Sequence, residues 1–417
     1  MPTRPQPHPL ARTCLVFLLA VFGFLAGVQH APCLCWGRAV LVEDKATGAL
    51  HINTSDPAHQ HVFINGISTR TLYDTVLQQQ RVLEAQHRIN QAQQKTISAL
   101  QARVCSPLLD TTTIDSLGSE DLKWAGGVLA NNGLIYGIPH KASAVLIIDP
   151  STNTADTTSI AGLSNSGYKW AGGVLLPTSG KIYAFPRMKR PDTITGLPFG
   201  GSKWLSGILA DNGLIYGIPW DSTSVLIINP STNTTDTSTI SDLDTSGSKW
   251  YGAAIAGNGL IYSMPRNAQA VLIIDPSNNS ADVSTISGFP NGGNKWQGTV
   301  LAGNGLLYGI PFSADAALIV DPTTNTADTT TLAGLPSDTY KWRGGALATN
   351  GVIVAFPSRA SGVLLIDPST NTTDVSTLAG LPAGGEKWFN GVLAANDRIY
   401  AIPHRSEEVL IVATSSC

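Results

Sequence analysis

Charge is scarce in this chain. Asp, Glu, Lys and Arg make up 13% of its 417 residues, and the formal net charge is −3. A nucleic-acid binder needs a basic stripe to displace counterions, and none is present. Cysteine is nearly as scarce. Cys14, Cys33 and Cys35 lie near the N-terminus, while Cys105 and Cys417 bracket everything between them. Catalytic signatures are missing too: there is no G-x-S-x-G elbow, phosphate-binding Gly loop, zinc-protease helix or C-x-x-C pair. Nothing in the sequence calls for a cofactor. Asp149, Asp275, Asp321 and Asp367 each precede a Pro, but no turn gathers the several oxygens that calcium requires. Asx turns account for them better.

What is abundant is punctuation. The chain holds 41 Gly and 25 Pro, as short strands joined by tight turns require. A Lys-Trp pair recurs seven times, at Lys123-Trp124, Lys169-Trp170, Lys203-Trp204, Lys249-Trp250, Lys295-Trp296, Lys341-Trp342 and Lys387-Trp388. Five of the six intervals are 46 residues; the second is 34. A fixed period near 45 decides the fold. The unit from Lys249 parses as four strands: Trp250 to Ala256, Leu260 to Met264, Ala270 to Asp275 and Asp282 to Ile286. A Gly-Asn-Gly turn joins the first two. The third strand is apolar on consecutive positions, so both of its faces are covered. Four strands per unit in seven units predict an all-β, seven-bladed β-propeller over residues 105–417, the Trp strand innermost. Between Trp170 and Lys203 about thirteen residues are missing, so blade two lacks a full third strand.

The ends predict closure. The last unit stops after its third strand, Val409 to Val412, and Asp110 to Ile114 supplies the fourth. In that register Cys105 and Cys417 fall on antiparallel neighbours, within the roughly 5.5 Å that a disulfide spans. A bond there closes a long loop and contributes, in theory, about 5 kcal/mol.

The repeat pattern, with "VLIIDPSTNTADT" and KW.GGVLA.NG.IYGIP as its two halves, resembles the YVTN-type β-propeller repeat. That family carries a V-x-V-I-D-x-x-T-N hairpin and a P-x-G-V-A-x-x-P-D-G turn. The similarity spans Leu108 to Val412 and departs where Lys-Trp replaces the usual residue before the Gly. The resemblance implies a propeller, often extracellular or periplasmic. It hands over no activity and no catalytic residue.

Upstream, residues 1–37 read as a signal peptide or signal anchor. Arg4 and Arg12 precede an apolar run over residues 14–28, about 22 Å as a helix and short of the ~30 Å hydrocarbon core. The chain beyond it is then secreted or held at the cell surface. Sequons at Asn53, Asn233, Asn278 and Asn371 are compatible with glycosylation there. Residues 38–70 form a small β-like segment. Residues 71–104, without Gly or Pro, predict a helix with Leu72, Val76, Leu83, Ile97, Leu100 and Val104 at three- and four-residue spacings. That is a coiled-coil seam interrupted by Gln and Asn, and a route to a homo-oligomer.

Candidate contacts follow from blade order. The loop into the innermost strand opens on the axial funnel, so Lys123, Lys203, Lys249, Lys295, Lys341 and Lys387 ring it or lie beside it. Recurrence in every unit favours packing for the Trp; Lys stays open to either reading. The residue after the second-strand Pro breaks the symmetry: His140, Arg187, Trp220, Arg266, Phe312, Ser358 and His404. Variable chemistry on a fixed scaffold points to a binding face for an extracellular glycan, another polymer or a protein. His140 and His404 fall in adjacent blades and could serve as an acid–base pair in a hydrolase or lyase. A purely structural or adhesive surface protein is the third reading.

Overall fold

The structure is a computed structural model that describes residues 39–43, 50–54, 63–64, 67–104, 108–164, 167–187, 197 and 201–414. The leader at residues 1–37, and both Cys105 and Cys417, lie outside the described residues. The chain divides into two compact units at Ile97 and Ser98. In the first, Ala39–Glu43 pairs with Leu50–Thr54, and Phe63–Ile64 with Ile67–Ser68. A helix runs Thr69–Val104.

The second unit is an all-β propeller. It holds six four-stranded blades rather than seven. The second repeat, where the sequence predicts a blade without a full third strand, contributes among the described residues a two-stranded hairpin, Trp170–Leu176 with Lys181–Pro186. The hairpin nevertheless packs against the inner strands of the repeats on either side, Trp124–Leu129 and Trp204–Leu209. Seven inner strands therefore surround the axis. The ring closes because Trp388–Leu393 packs on Trp124–Leu129. The last blade takes its fourth strand from Leu108–Asp110, paired with Leu410–Ala413. Both this strand and its counterparts, such as Ser280–Asp282, sit earlier than the sequence suggests. The Ser/Thr run after each belongs to a turn: Asp282 Oδ1 accepts from Ser284 N at 2.6 Å and Ser284 Oγ at 2.7 Å.

Each complete unit spends its apolar residues on its neighbours. Trp342 is buried with Val300, Tyr308 and Ile310 of the preceding blade and Ile353 and Leu364 of its own. Its indole donates to Gly362 O at 2.9 Å. Trp124, Trp204, Trp250, Trp296 and Trp388 donate likewise to the carbonyl twenty residues on. The indole is thus a satisfied wedge between blades. On the opposite face Asn–Tyr pairs link consecutive repeats; Asn396 Nδ2, for example, donates to Tyr400 Oη at 2.9 Å and to Pro150 O at 2.8 Å, across the closure. At the axis backbones crowd. Gly298 has φ 118°, and a Cβ there would lie 2.9 Å from Gly344 Cα, so no side chain fits.

Candidate functional site on the funnel face

The Lys expectation needs correction first. Lys123, Lys249, Lys295, Lys341 and Lys387 are buried, not displayed around the opening. Lys295 Nζ donates to Pro290 O, Gly292 O and Ala268 O at 2.6, 2.9 and 3.1 Å. Lys123 Nζ reaches Gly118 O, Glu120 O and, across the closure, Ser406 O. The ammoniums of Lys123, Lys295, Lys341 and Lys387 tie their own entering loops to the loop of the preceding blade, while Lys249 Nζ donates to Ser246 O of its own loop. Burial pushes Lys295 and Lys387 down to about 8; the surrounding carbonyls favour the charged form and oppose that. Lys203, which follows the two-stranded hairpin, is half-buried and makes no such bond to a described residue.

The Lys backbone positions the variable residues. His140 N donates to Lys123 O at 2.8 Å, and Lys169 N donates to His140 O at 2.8 Å. The same pair of bonds recurs at Trp220, Arg266, Phe312, Ser358 and His404. The expected tier of symmetry-breaking side chains is therefore one hydrogen-bonded circuit.

Beneath it lies a second tier, the residues directly after each Trp: Ala125, Ala171, Leu205, Tyr251, Gln297, Arg343 and Phe389. All seven are buried. Sequence reading missed this tier, although its signal was present: the residue after Trp varies in size and charge, while the two positions that follow stay small or, at Asn390, polar. The two tiers interleave cations and rings. Arg266 lies over Trp220 at 4.6 Å and Phe312 at 5.3 Å. Arg343 lies over Phe389 at 4.6 Å and Phe312 at 5.1 Å. Arg187 lies over Tyr168 at 4.5 Å, and its Nη1 contacts His140 Nε2 at 2.7 Å. Arg359 covers Tyr340, which stacks on Phe312. The exposed aromatic platforms expected for a neutral sugar are thus already occupied by guanidiniums.

His140 and His404 do come together, with ring centroids 5.7 Å apart. His140 Nδ1 donates to Trp170 O at 2.8 Å, which leaves Nε2 as an acceptor for Arg187. Burial, together with Arg187, Lys141 and Lys169, pushes His140 down to about 4. Burial and Arg343 hold His404 well below its ordinary value. Both rings are neutral at neutral pH.

A carboxylate that the sequence did not point to stands here as well. Glu386 Oε1 accepts from Arg343 Nη2 at 3.4 Å, and Oε2 lies 3.9 Å from both His404 Nδ1 and Arg405 Nε. Arg187, Arg266 and Arg359 make no ion pair to a described residue. Burial pushes Arg266 down to about 10, with Arg343 adding repulsion. Among the described residues, three buried side-chain atoms, Arg343 Nε, Ser358 Oγ and His404 Nδ1, find no hydrogen-bond partner. Arg343 is 8% exposed and His404 3%. The arrangement holds an excess of cationic donors over acceptors.

Two cavities adjoin it. One, of about 130 Å³, lies on the axis and is lined by inner-strand backbone, including Gly126, Gly172, Gly298 and Gly344. The other, about 310 Å³, is a rim groove of Arg359, Gly384, Gly385, Glu386 and Arg405. The turn aspartates are engaged locally: Asp275 Oδ1 accepts from Ser277 N and Oγ at 2.8 and 2.6 Å. Asn233, Asn278 and Asn371 are exposed in turns on the outer strands; Asn53 lies in the strand Leu50–Thr54.

No family model and no curated protein matches the chain. Solved structures do. The extracellular domain of BT4673 from B. thetaiotaomicron is 13% identical with TM-score 0.51, over 73% of this chain and 39% of that one. Kuenenia stuttgartiensis hydrazine synthase is 10% identical with TM-score 0.52, over 71% of this chain and 97% of that one. Staphylococcus aureus virginiamycin B lyase is 12% identical with TM-score 0.44, over 72% of this chain and 82% of that one. The likenesses to the BT4673 domain and to hydrazine synthase establish the propeller fold, not the YVTN family. Among the described residues no helix is long and apolar enough to cross a membrane.

Proposed function

We propose that this is a secreted or surface-held propeller that binds an anionic extracellular glycan or similar polymer on its funnel face. The observation that carries this reading is the unbalanced cluster of Arg187, Arg266 and Arg343, with Glu386 as their carboxylate neighbour and buried donors left unpartnered. Burying a cation without a counter-charge costs several kcal/mol, and an anion from outside would offset it. Rings on their faces hold the guanidiniums flat, so N–H edges rather than apolar surfaces meet the ligand. Kinship with the YVTN repeats and an extracellular location belong to the same proposal; the quoted motifs and the N-terminal leader support them. Glycosylation of Asn233, Asn278 and Asn371 fits their exposed turns, and that of Asn53 rests on its sequon. A glycan array read at low and high salt tests the reading. Salt-sensitive binding of acidic glycans, weakened by Arg266→Ala, is expected. No acidic hit, or binding indifferent to both Arg266→Ala and Trp220→Ala, would sink it.

Catalysis is the second reading, favoured by two neutral histidines beside Glu386. A neutral imidazole can take a proton, and a carboxylate 3.9 Å away can stabilise the result. Substrate screening with His140→Ala/His404→Ala as the control decides it. The structural or adhesive reading draws on the helix, where Val76 and Leu83 are exposed, Leu83 at 69%. They are seven residues apart, the spacing of a seam between copies of this chain. Sedimentation of the full chain carrying Val76→Asn and Leu83→Asn tests that homo-oligomer.

A further inference from the structure

We infer that the rim groove between the sixth and seventh repeats is a subsite for one acidic sugar unit. Its carboxylate or sulfate would sit between Arg359 and Arg405, and a neighbouring hydroxyl would donate to Glu386. This rests on the anionic-glycan reading and makes it specific.

Five observations carry it. The groove has about 310 Å³ of space, at the small end of ligand sites and suited to one ring. Its two arginines are held differently. Arg359 lies flat against Tyr340 at 4.5 Å with no carboxylate partner among the described residues. Arg405 Nε touches Glu386 and Asp121 loosely, at 3.9 and 3.8 Å, beyond hydrogen-bond reach. Both can therefore turn their N–H edges to an anion at little cost. Glu386 is the acid in a position that the other repeats fill with Leu122, Tyr168, Ser202, Ser248, Asn294 and Tyr340. One of its oxygens is within reach of Arg343, leaving the other to accept a hydroxyl. Behind it, the buried Arg343 Nε, without a partner among the described residues, extends the donor set inward. The floor is bare backbone: Gly384 has φ +82°, and a Cβ there would meet nothing within 4 Å. The groove stays open because this turn carries no side chain.

Calorimetry on the full chain tests this with four probes: an oligouronate, a sulfated neutral oligosaccharide, its unsulfated counterpart and inorganic sulfate. The first two distinguish carboxylate from sulfate as the natural anion. Binding of either, but not of the unsulfated sugar, is expected. Arg359→Ala/Arg405→Ala should weaken it about 100-fold, as loss of two charge-assisted contacts does. Gly384→Asn should weaken it at least tenfold by filling the groove, since Asn tolerates a positive φ. Glu386→Gln should weaken the oligosaccharide while leaving inorganic sulfate unchanged or tighter. If acidic oligosaccharides bind equally well to Arg359→Ala/Arg405→Ala and Gly384→Asn but lose affinity in Arg266→Ala, the subsite is wrong and the funnel reading stands. If inorganic sulfate binds as tightly as the oligomers and Glu386→Gln affects both alike, the groove is a small-anion site and the sugar assignment fails. If neither acidic oligosaccharide binds the unaltered protein, both readings fall.

Discussion

The second repeat and its six complete neighbours form a natural comparison. Each complete repeat buries its Trp between blades and satisfies the indole on a carbonyl twenty residues later. In the second repeat the residue twenty on, Arg190, lies outside the described residues. Trp170 is half-buried and makes no such bond to a described residue. Yet the hairpin keeps its place at the axis, presents Arg187 to the funnel and accepts from His140 through Trp170 O. The difference teaches that the inner two strands and the Lys circuit hold the funnel face. The inter-blade core is drawn from the first three strands, and the fourth is largely exposed. A deletion in the outer layer leaves the site's chemistry in place.

The comparison can be broken by removing the wedge on each side. Trp296→Ala should cost about 3–5 kcal/mol, as for other buried aromatics. Trp170→Ala should cost less than half as much in the same chemical denaturation series; equal losses would mean that the outer strands add nothing to the wedge.

A pH series probes the seam between the intact first repeat and the hairpin. His140 titrates near 4 when folded, against about 6.5 unfolded. The unfolded chain thus binds the extra proton between those values. Stability is complete above pH 6.5 and declines as pH falls towards 4, by about 3 kcal/mol from this group. The groups facing it are Arg187, Lys141, Lys169, Tyr168 and His404. His404 adds in the same direction. Thermal melts at pH 7 and 4.5 should show the decline, and His140→Gln should flatten it; an unchanged slope would deny that the ring is held neutral.

The Lys circuit sharpens the contrast next. Lys341→Met strands Ala314 O and Asp338 O and should cost about 1–3 kcal/mol. Lys203→Met, after the hairpin, should cost under ~1 kcal/mol, as its ammonium makes no bond to a described residue. Similar losses at both sites would put the Lys role in the side-chain stem rather than the ammonium.

The smallest effect belongs to the turns that the second repeat lacks. Asp236, held down to about 2 by the Thr239 hydroxyl and Ser238, stays ionised in mild acid. Asp236→Ala should lose about 0.5–1.5 kcal/mol at pH 7. The loss should shrink below pH 4, where the carboxylate is protonated in the unfolded chain.

Much of the ring was legible because its physics is local and repeated. The Lys-Trp period marks the blades, the Gly-Asn-Gly turns mark the hairpins, and the split last repeat marks where the ends meet. Strand limits were less legible. The Ser/Thr run after Asp282 has β-forming composition, but its hydroxyls and amides satisfy the Asp carboxylate and form a turn instead. The site was legible in its first tier, since His140, Arg187, Trp220, Arg266, Phe312 and His404 break the symmetry where the scaffold does not. Arg343 and Phe389 were hidden inside a strand whose neighbours are all scaffold. Glu386 was hidden in a loop whose length varies little between repeats.

Sequence alone determined that this chain repeats a four-strand unit, that one copy is truncated and that its ends complement each other. Those facts depend on spacing along the chain. Whether a charged residue is a displayed cation or a buried brace depends on what lies across the ring, and that is decided only in three dimensions. Lys295 and Arg343 are two residues from the same kind of strand. One spends its donors on backbone carbonyls, while the other keeps a donor unpaired beside Glu386.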